Sequence, residues 1–152
     1  MSSVKNENNP GTVLASAVDA EIATFRSMQE SMQQYQSNFQ LVQGQRTENE
    51  MVLEEFQLLM DAKKKNVNDT KAANVFKMIG PVLVSQSINE AYQTVEKRIQ
   101  FITTEQNKIQ NQMDEQEKLL QEQAKKVQQM QSMLQQSTVQ AVHAIAQQHQ
   151  AA

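Results

Sequence analysis

A chain of 152 residues with no Trp, no Cys and only 5 % aromatic residues has too few large apolar side chains to fill a globular core of ordinary size. Without Cys there is neither a disulfide framework nor a thiolate metal site. A net charge of −3, with Lys63-Lys64-Lys65 as the one basic run, excludes the concentrated basic surface that releases counterions from nucleic-acid phosphates.

Just three Gly and two Pro interrupt a chain rich in Gln, Glu, Lys, Ala, Leu and Met. Those residue types lose little rotamer freedom in a helix, so long uninterrupted helices are expected. Residues 1–11 are polar, end in Pro10-Gly11 and read as disordered. They lack an apolar signal core, and no apolar run reaches the roughly 18 residues that span a bilayer. Both features predict a reducing, cytoplasmic location without membrane contact.

A first helix is expected over 12–62, capped by Thr12 or Ser16. From Phe25 onward the spacing steps by three and four: Met28, Met32, Tyr35, Phe39, Val42, Arg46, Asn49, Leu53, Phe56, Met60. This is a heptad seam, along which two helices interlock side chains. Leu14, Val18 and Ile22 continue it towards the start with a small phase shift. Residues 63–73 are polar, lose the period and read as a connection, with the Lys63-Lys64-Lys65 run solvated.

The stretch 74–86 has strand formers on both sides of Gly80-Pro81, and predicts a β-hairpin with strands 74–79 and 82–86. Ser87-Ile88-Asn89-Glu90 fits a capping box for a second helix over 87–147. Its seam is Ile88, Tyr92, Val95, Ile99, Ile102, Gln106, Ile109, Met113, Gln116, Leu120, Gln123, Val127, Met130, Leu134, fading into Ser137, Ala141 and Ala144. Residues 148–152 read as a disordered end. The fold class is therefore mostly α: a long antiparallel two-helix coiled coil with a β-hairpin at one end.

Nothing in this pattern resembles a catalytic or cofactor site. His143 and His149 are six apart, which does not put two ligands on one helix face, and the three glycines are scattered. Two features point instead to binding. Antiparallel pairing brings Met28 and Met32 near Met130 and Met133, at the end of the coil away from the hairpin. Methionine suits surfaces that accommodate varied partners, although the same residues also serve as seam. The hairpin is apolar on both faces, with Val75, Ile79, Val82 and Val84 one way and Phe76, Met78 and Leu83 the other. Such a hairpin is marginal alone, and its free edges invite another strand. It is expected to join hairpins of other chains in an inter-subunit β-barrel.

The run Val75-Phe76-Lys77-Met78-Ile79-Gly80-Pro81-Val82-Leu83-Val84, followed by Glu90-Ala91, Val95-Glu96-Lys97-Arg98-Ile99 and Phe101-Ile102, resembles the β-type prefoldin subunits. Within them it is most similar to the subunit-six family. Thr47-Glu48-Asn49 and Leu53-Glu54-Glu55-Phe56-Gln57-Leu58-Leu59 resemble the end of that family's first helix, so the similarity spans roughly residues 44–110. The longer Lys-rich connection and the Gln-rich C-terminal arm depart from it. The resemblance implies a non-enzymatic, cofactor-free subunit of a heterohexameric co-chaperone, with two α-type and three further β-type subunits as partners. Val75, Phe76, Met78, Ile79, Gly80, Pro81, Val82, Leu83 and Val84 would form the oligomerisation hairpin. The coil tips, with Leu14, Val18, Ile22, Phe25, Met28, Met130, Met133 and Leu134, would hold unfolded actin and tubulin without ATP for delivery to the cytosolic chaperonin. A structural coiled-coil subunit of a tethering or cytoskeletal complex is the competing reading; it explains the helices but not the apolar hairpin.

Overall fold

The computed structural model describes residues 9–65 and 75–151. Helix α1 spans Pro10–Lys65, strand β1 Val75–Ile79, strand β2 Val82–Gln86 and helix α2 Ile88–Gln150. The two helices form an antiparallel coiled coil, and the two strands pair as one antiparallel hairpin between them in the chain.

The helix ends differ from the sequence expectation. The N-cap of α1 is Asn9, not Thr12 or Ser16: the Asn9 carbonyl accepts from Thr12 N at 2.9 Å, and its side-chain Oδ1 accepts from Gly11 N at 3.3 Å. Pro10 therefore begins the helix, where a missing N–H costs nothing and a fixed φ is already helical. The expected disorder of 1–11 fails at Pro10 and Gly11 for this reason, and 1–8 lie outside the described residues. At the other end Lys63, Lys64 and Lys65 belong to the last turn of α1, not to a loop, because cations there complement the helix dipole. The remainder of the expected connection, 66–73, and Asn74 lie outside the described residues.

Helix α2 continues to Gln150, beyond the expected end at 147. The Ala- and Gln-rich segment contains no Gly or Pro to stop it, and Ala151 N still donates to Gln147 O at 3.1 Å. At the start of α2 the Ser87 carbonyl accepts from Ala91 N at 3.0 Å. The reciprocal Ser87 and Glu90 side-chain bonds of the expected capping box do not form.

The chain divides into two compact units. The described residues of the first unit, 9–34 and 113–151, are coil alone. Its seam residues are half-buried, with Val18 and Gln123 buried. The glutamines that interrupt the α2 seam are satisfied across it. Gln116 Nε2 donates to the Met28 carbonyl at 3.2 Å, and Gln123 Nε2 donates to the Glu21 carbonyl at 3.1 Å and its carboxylate at 2.6 Å. Lys126 adds an ion pair to the same carboxylate at 2.6 Å. Such pairings penalise a slipped register, which would strand buried amides. With Gln123 beside Glu21, the start of α1 falls level with Leu134. Past Ser137 every described α2 residue is exposed, so Ala141 and Ala144 are not seam residues; no described turn of α1 reaches them.

The unit of residues 35–112 contains coil and hairpin. Ala91, Val95 and Ile102 are buried, and Tyr35, Phe39, Val42, Leu53, Phe56 and Met60 are half-buried. Full burial of such a side chain stabilises by about 1.5–3 kcal/mol, and the incompletely covered ones contribute somewhat less than that. Arg46, a polar seam residue, donates from Nη1 to Gln106 Oε1 at 3.2 Å and pairs through Nε with Glu50 at 2.8 Å.

Candidate functional site

The hairpin is built around its turn. Gly80 has φ of 59°, and proline holds φ near −65°. A positive φ followed by a negative one is the pattern of a type II′ turn, whose twist matches that of antiparallel strands. Type I′ would need positive φ at Pro81, which the ring forbids. Gly-Pro is thus a workable two-residue hairpin turn, and it sets the register: Ile79 opposite Val82, Met78 opposite Leu83, Lys77 opposite Val84, Phe76 opposite Ser85 and Val75 opposite Gln86.

Opposed residues share a face. One face carries Val75, Ile79, Val82 and Val84, the other Phe76, Met78 and Leu83, as the alternation predicts. The sequence reading left out Lys77, which lies on the first face opposite Val84. Val75 is half-buried at the base of the hairpin; every other apolar residue in it is exposed, Met78 to 73 %. Only the base of the hairpin, at Val75, Phe76 and Lys77, lies beside its own helices, near Phe56, Val95 and Arg98. Among the described residues each strand has a single partner, so the outer edges present backbone N–H and C=O groups that another strand could pair.

The other expected site lies at the end of the coil where α1 begins. Leu14, Met130 and Leu134 are half-buried seam residues there and Val18 is 4 % exposed, while Ile22, Phe25 and Met28 are half-buried further along the seam; Met28 lies level with Gln116, so the expected cluster of Met28 and Met32 with Met130 and Met133 does not form. Met133 alone among the expected contacts is open, at 56 %. The structure adds Val13 on α1 and Val139, Val142 and Ile145 on α2, all exposed. The last three recur every third residue on one side of a helix that has outrun its partner. That spacing was present in the sequence, but reading the heptad seam as continuing through Ala141 and Ala144 hid it. His143 and His149 are exposed on the same segment.

Electrostatics at this end centre on Glu21. Its hydrogen bonds from Lys126 and Gln123 favour the charged form and hold its carboxyl below the ordinary carboxylate range. The group binds one helix to the other and offers no acid–base chemistry at neutral pH.

A two-helix coil carrying an exposed apolar hairpin defines a class of protein made to assemble with other chains rather than to enclose a substrate. Residues 19–136 match the family model described as prefoldin subunit. The chain is 35 % identical over 101 residues to prefoldin subunit 6 of Mus musculus, an alignment covering 66 % of this chain and 72 % of that protein. It is 33 % identical over 129 residues to the probable prefoldin subunit 6 of Caenorhabditis briggsae, covering 85 % and 93 %. In fold it is similar to the prefoldin beta subunit from Thermococcus strain KS-1, with a TM-score of 0.62 at 21 % identity over 74 % of this chain and 90 % of the other. The chain belongs to the prefoldin family of chaperone subunits.

Proposed function

We propose that this chain is one subunit of a cytoplasmic heterohexamer of two α-type and four β-type prefoldin subunits that holds unfolded proteins without ATP and delivers them to the cytosolic chaperonin. Unfolded actin and tubulin are the proposed clients. The observation that carries this reading is the hairpin, whose two faces and two edges are open. A surface of this kind is stable only when neighbouring hairpins cover it, and closure into a barrel is the arrangement that leaves no edge. The coil end with Met133, Val139, Val142 and Ile145 exposed supplies apolar contacts for a chain that has not buried its own. Each such contact is weak, so holding depends on several arms gripping one client.

The test combines Val82→Asp with Val84→Asp and follows assembly with the partner subunits by native mass spectrometry. The carboxylate introduced by Val84→Asp would face Lys77 across the strands, which offsets part of the strand propensity lost. Both carboxylates would nonetheless be desolvated in a barrel. The expected result is loss of incorporation with helix content unchanged; a normal hexamer would sink the reading. A wild-type chain that ignores the partners and persists as a homodimer would instead support a structural role in a tethering or cytoskeletal complex.

A further inference from the structure

We propose that the open edge of β1 receives a strand from a sister subunit of different sequence, which carries an Asp or Glu opposite Lys77 and apolar residues two positions to either side, and that this carboxylate seats between Lys77 and Arg98. This rests on the assembly reading above. A shallow cleft of about 130 Å³, open to solvent, lies where the base of the hairpin meets the helices. It touches Val75, Phe76 and Lys77, which alternate between the two faces of β1. A cleft in contact with both faces of one strand runs along that strand's edge. Its other wall is one side of α2, where Ala91, Val95 and Arg98 follow at helical spacing, and Phe56 of α1 adds to the apolar lining. Two cations, Lys77 and Arg98, thus share an apolar cleft that no carboxylate lines among the described residues. Both are exposed, and neither makes an ion pair within the chain among the described residues. In the free chain water satisfies them. Covered by a neighbouring strand, they would lose that water and repel each other unless the strand brings a negative charge.

Register gives the position of that charge. In a two-residue hairpin the residues beside the turn, Ile79 and Val82, form a hydrogen-bonded pair, and the two kinds of pair alternate from there. Lys77 therefore turns its backbone groups towards β2, whereas Phe76 and Met78 turn theirs to the open edge. An antiparallel strand bonded to Phe76 and Met78 opposes one residue directly to Lys77. That pair is of the non-hydrogen-bonded kind, which brings side chains closer, at Cα separations of about 4.5 Å. Opposed residues share a face, so the residues two before and two after it meet Val75 and Ile79. Apolar side chains suit those two places, and an Asp or Glu suits the central one. The guanidinium of Arg98 offers a planar fork to the same carboxylate.

The same geometry disfavours a second copy of this chain. Neither β1 nor β2 contains an Asp or Glu, so no strand of the chain supplies the carboxylate. Two copies joined edge to edge through β1 would oppose Lys77 either to the other Lys77 or to an apolar residue. Like charges directly opposed are destabilising, and an apolar residue leaves the amine without a partner. The edge of β1 is thus a device that selects a different chain, and Lys77 with Arg98 are the residues that set the choice.

The experiment treats the wild-type chain, assembled with its partner subunits, with a water-soluble carbodiimide, which joins an amine to a carboxylate only where the two are in contact. Mass spectrometry should map an amide between Lys77 and an Asp or Glu of a sister subunit that has apolar residues two positions to either side. In parallel, Lys77→Gln with Arg98→Gln should leave thermal unfolding of the isolated chain unchanged, because both groups are exposed there. The same pair should speed dissociation from the complex about tenfold or more. The wild-type dissociation rate should also rise more steeply with salt than that of the variant. A complex that assembles but gives no Lys77 product with a sister subunit, or a product confined to carboxylates of this chain, overturns the pairing and leaves the assembly reading intact. A double variant that dissociates at the wild-type rate overturns it equally. Failure of the wild-type chain to assemble at all overturns both.

Discussion

Replacing Gly80 with Ala isolates the hairpin turn from everything else in the molecule. Space does not oppose the change, since a Cβ at Gly80 would meet nothing within 4 Å. The cost comes from the backbone: φ is 59°, a conformation that costs an L-residue about 1–3 kcal/mol. The neighbouring Pro81 cannot relieve it by rotating its own φ. In the free chain this lowers the population of the paired hairpin, which is marginal already. If subunits associate only through a formed hairpin, the apparent affinity falls by the same factor, between about 5-fold and 150-fold. The measurement is a titration of the variant into its partner subunits, read by native mass spectrometry or sedimentation, with far-ultraviolet circular dichroism to verify that the coil is unchanged. Pro81→Ala is the control. It adds only the unfolded-state entropy that proline removes, about 0.4–1 kcal/mol, and should shift assembly less. An assembly midpoint for Gly80→Ala within twofold of wild type would show that the turn does not limit association and that the II′ reasoning is wrong.

Gly44→Ala should act with the opposite sign on the isolated chain. The position is helical and open, so the coil gains about 0.8–1 kcal/mol, seen as a raised melting temperature; a lowered one would mean that Gly44 is needed for the fold. Glu21→Gln tests the ion pair with Lys126. Because the Glu21 pKa is lowered in the folded chain, its contribution is present above the unfolded-state value and is lost as pH falls through the folded one. Wild type should therefore exceed the variant in thermal stability at pH 7, with the gap closing in acid below the ordinary carboxylate range; a constant gap would refute the linkage. Removing residues 136–152 should leave hexamer assembly intact but raise light scattering from diluted, denatured actin, with or without ATP. Equal protection by the trimmed complex would show that the exposed end of α2 does not hold clients, and protection that needs ATP would overturn the holdase mechanism.

The seam from Phe25 to Met60 and its counterpart from Ile88 to Leu134 were legible because heptad periodicity is a property of the chain itself. Every one of those positions is at least half-buried. The hairpin was legible for a similar reason: alternation assigns Val75, Ile79, Val82 and Val84 to one face and Phe76, Met78 and Leu83 to the other, and pairing through Gly80-Pro81 preserves it. Helix ends were less so. Asn9 and Pro10 form a capping pair only when both are seen to be ordered, and polar residues such as Lys63 or Gln148 suit a helix and a loop alike. Register was not in the heptads at all, since a coil slipped by seven residues keeps the same pattern. In the unit that contains the start of α1, the cross-seam bonds of Gln123 with Glu21 and Gln116 with Met28 agree on one alignment and distinguish it from a slipped one. That alignment decides which apolar residues stay in water. It buries Val18 and leaves Val139, Val142 and Ile145 beyond the start of α1, while α2 lies against one face of α1 and leaves Leu41, Met51 and Leu58 open. Periodicity tells a helix which side to bury, but exposure is set by where the partner lies and where it stops, and only the tertiary structure contains that.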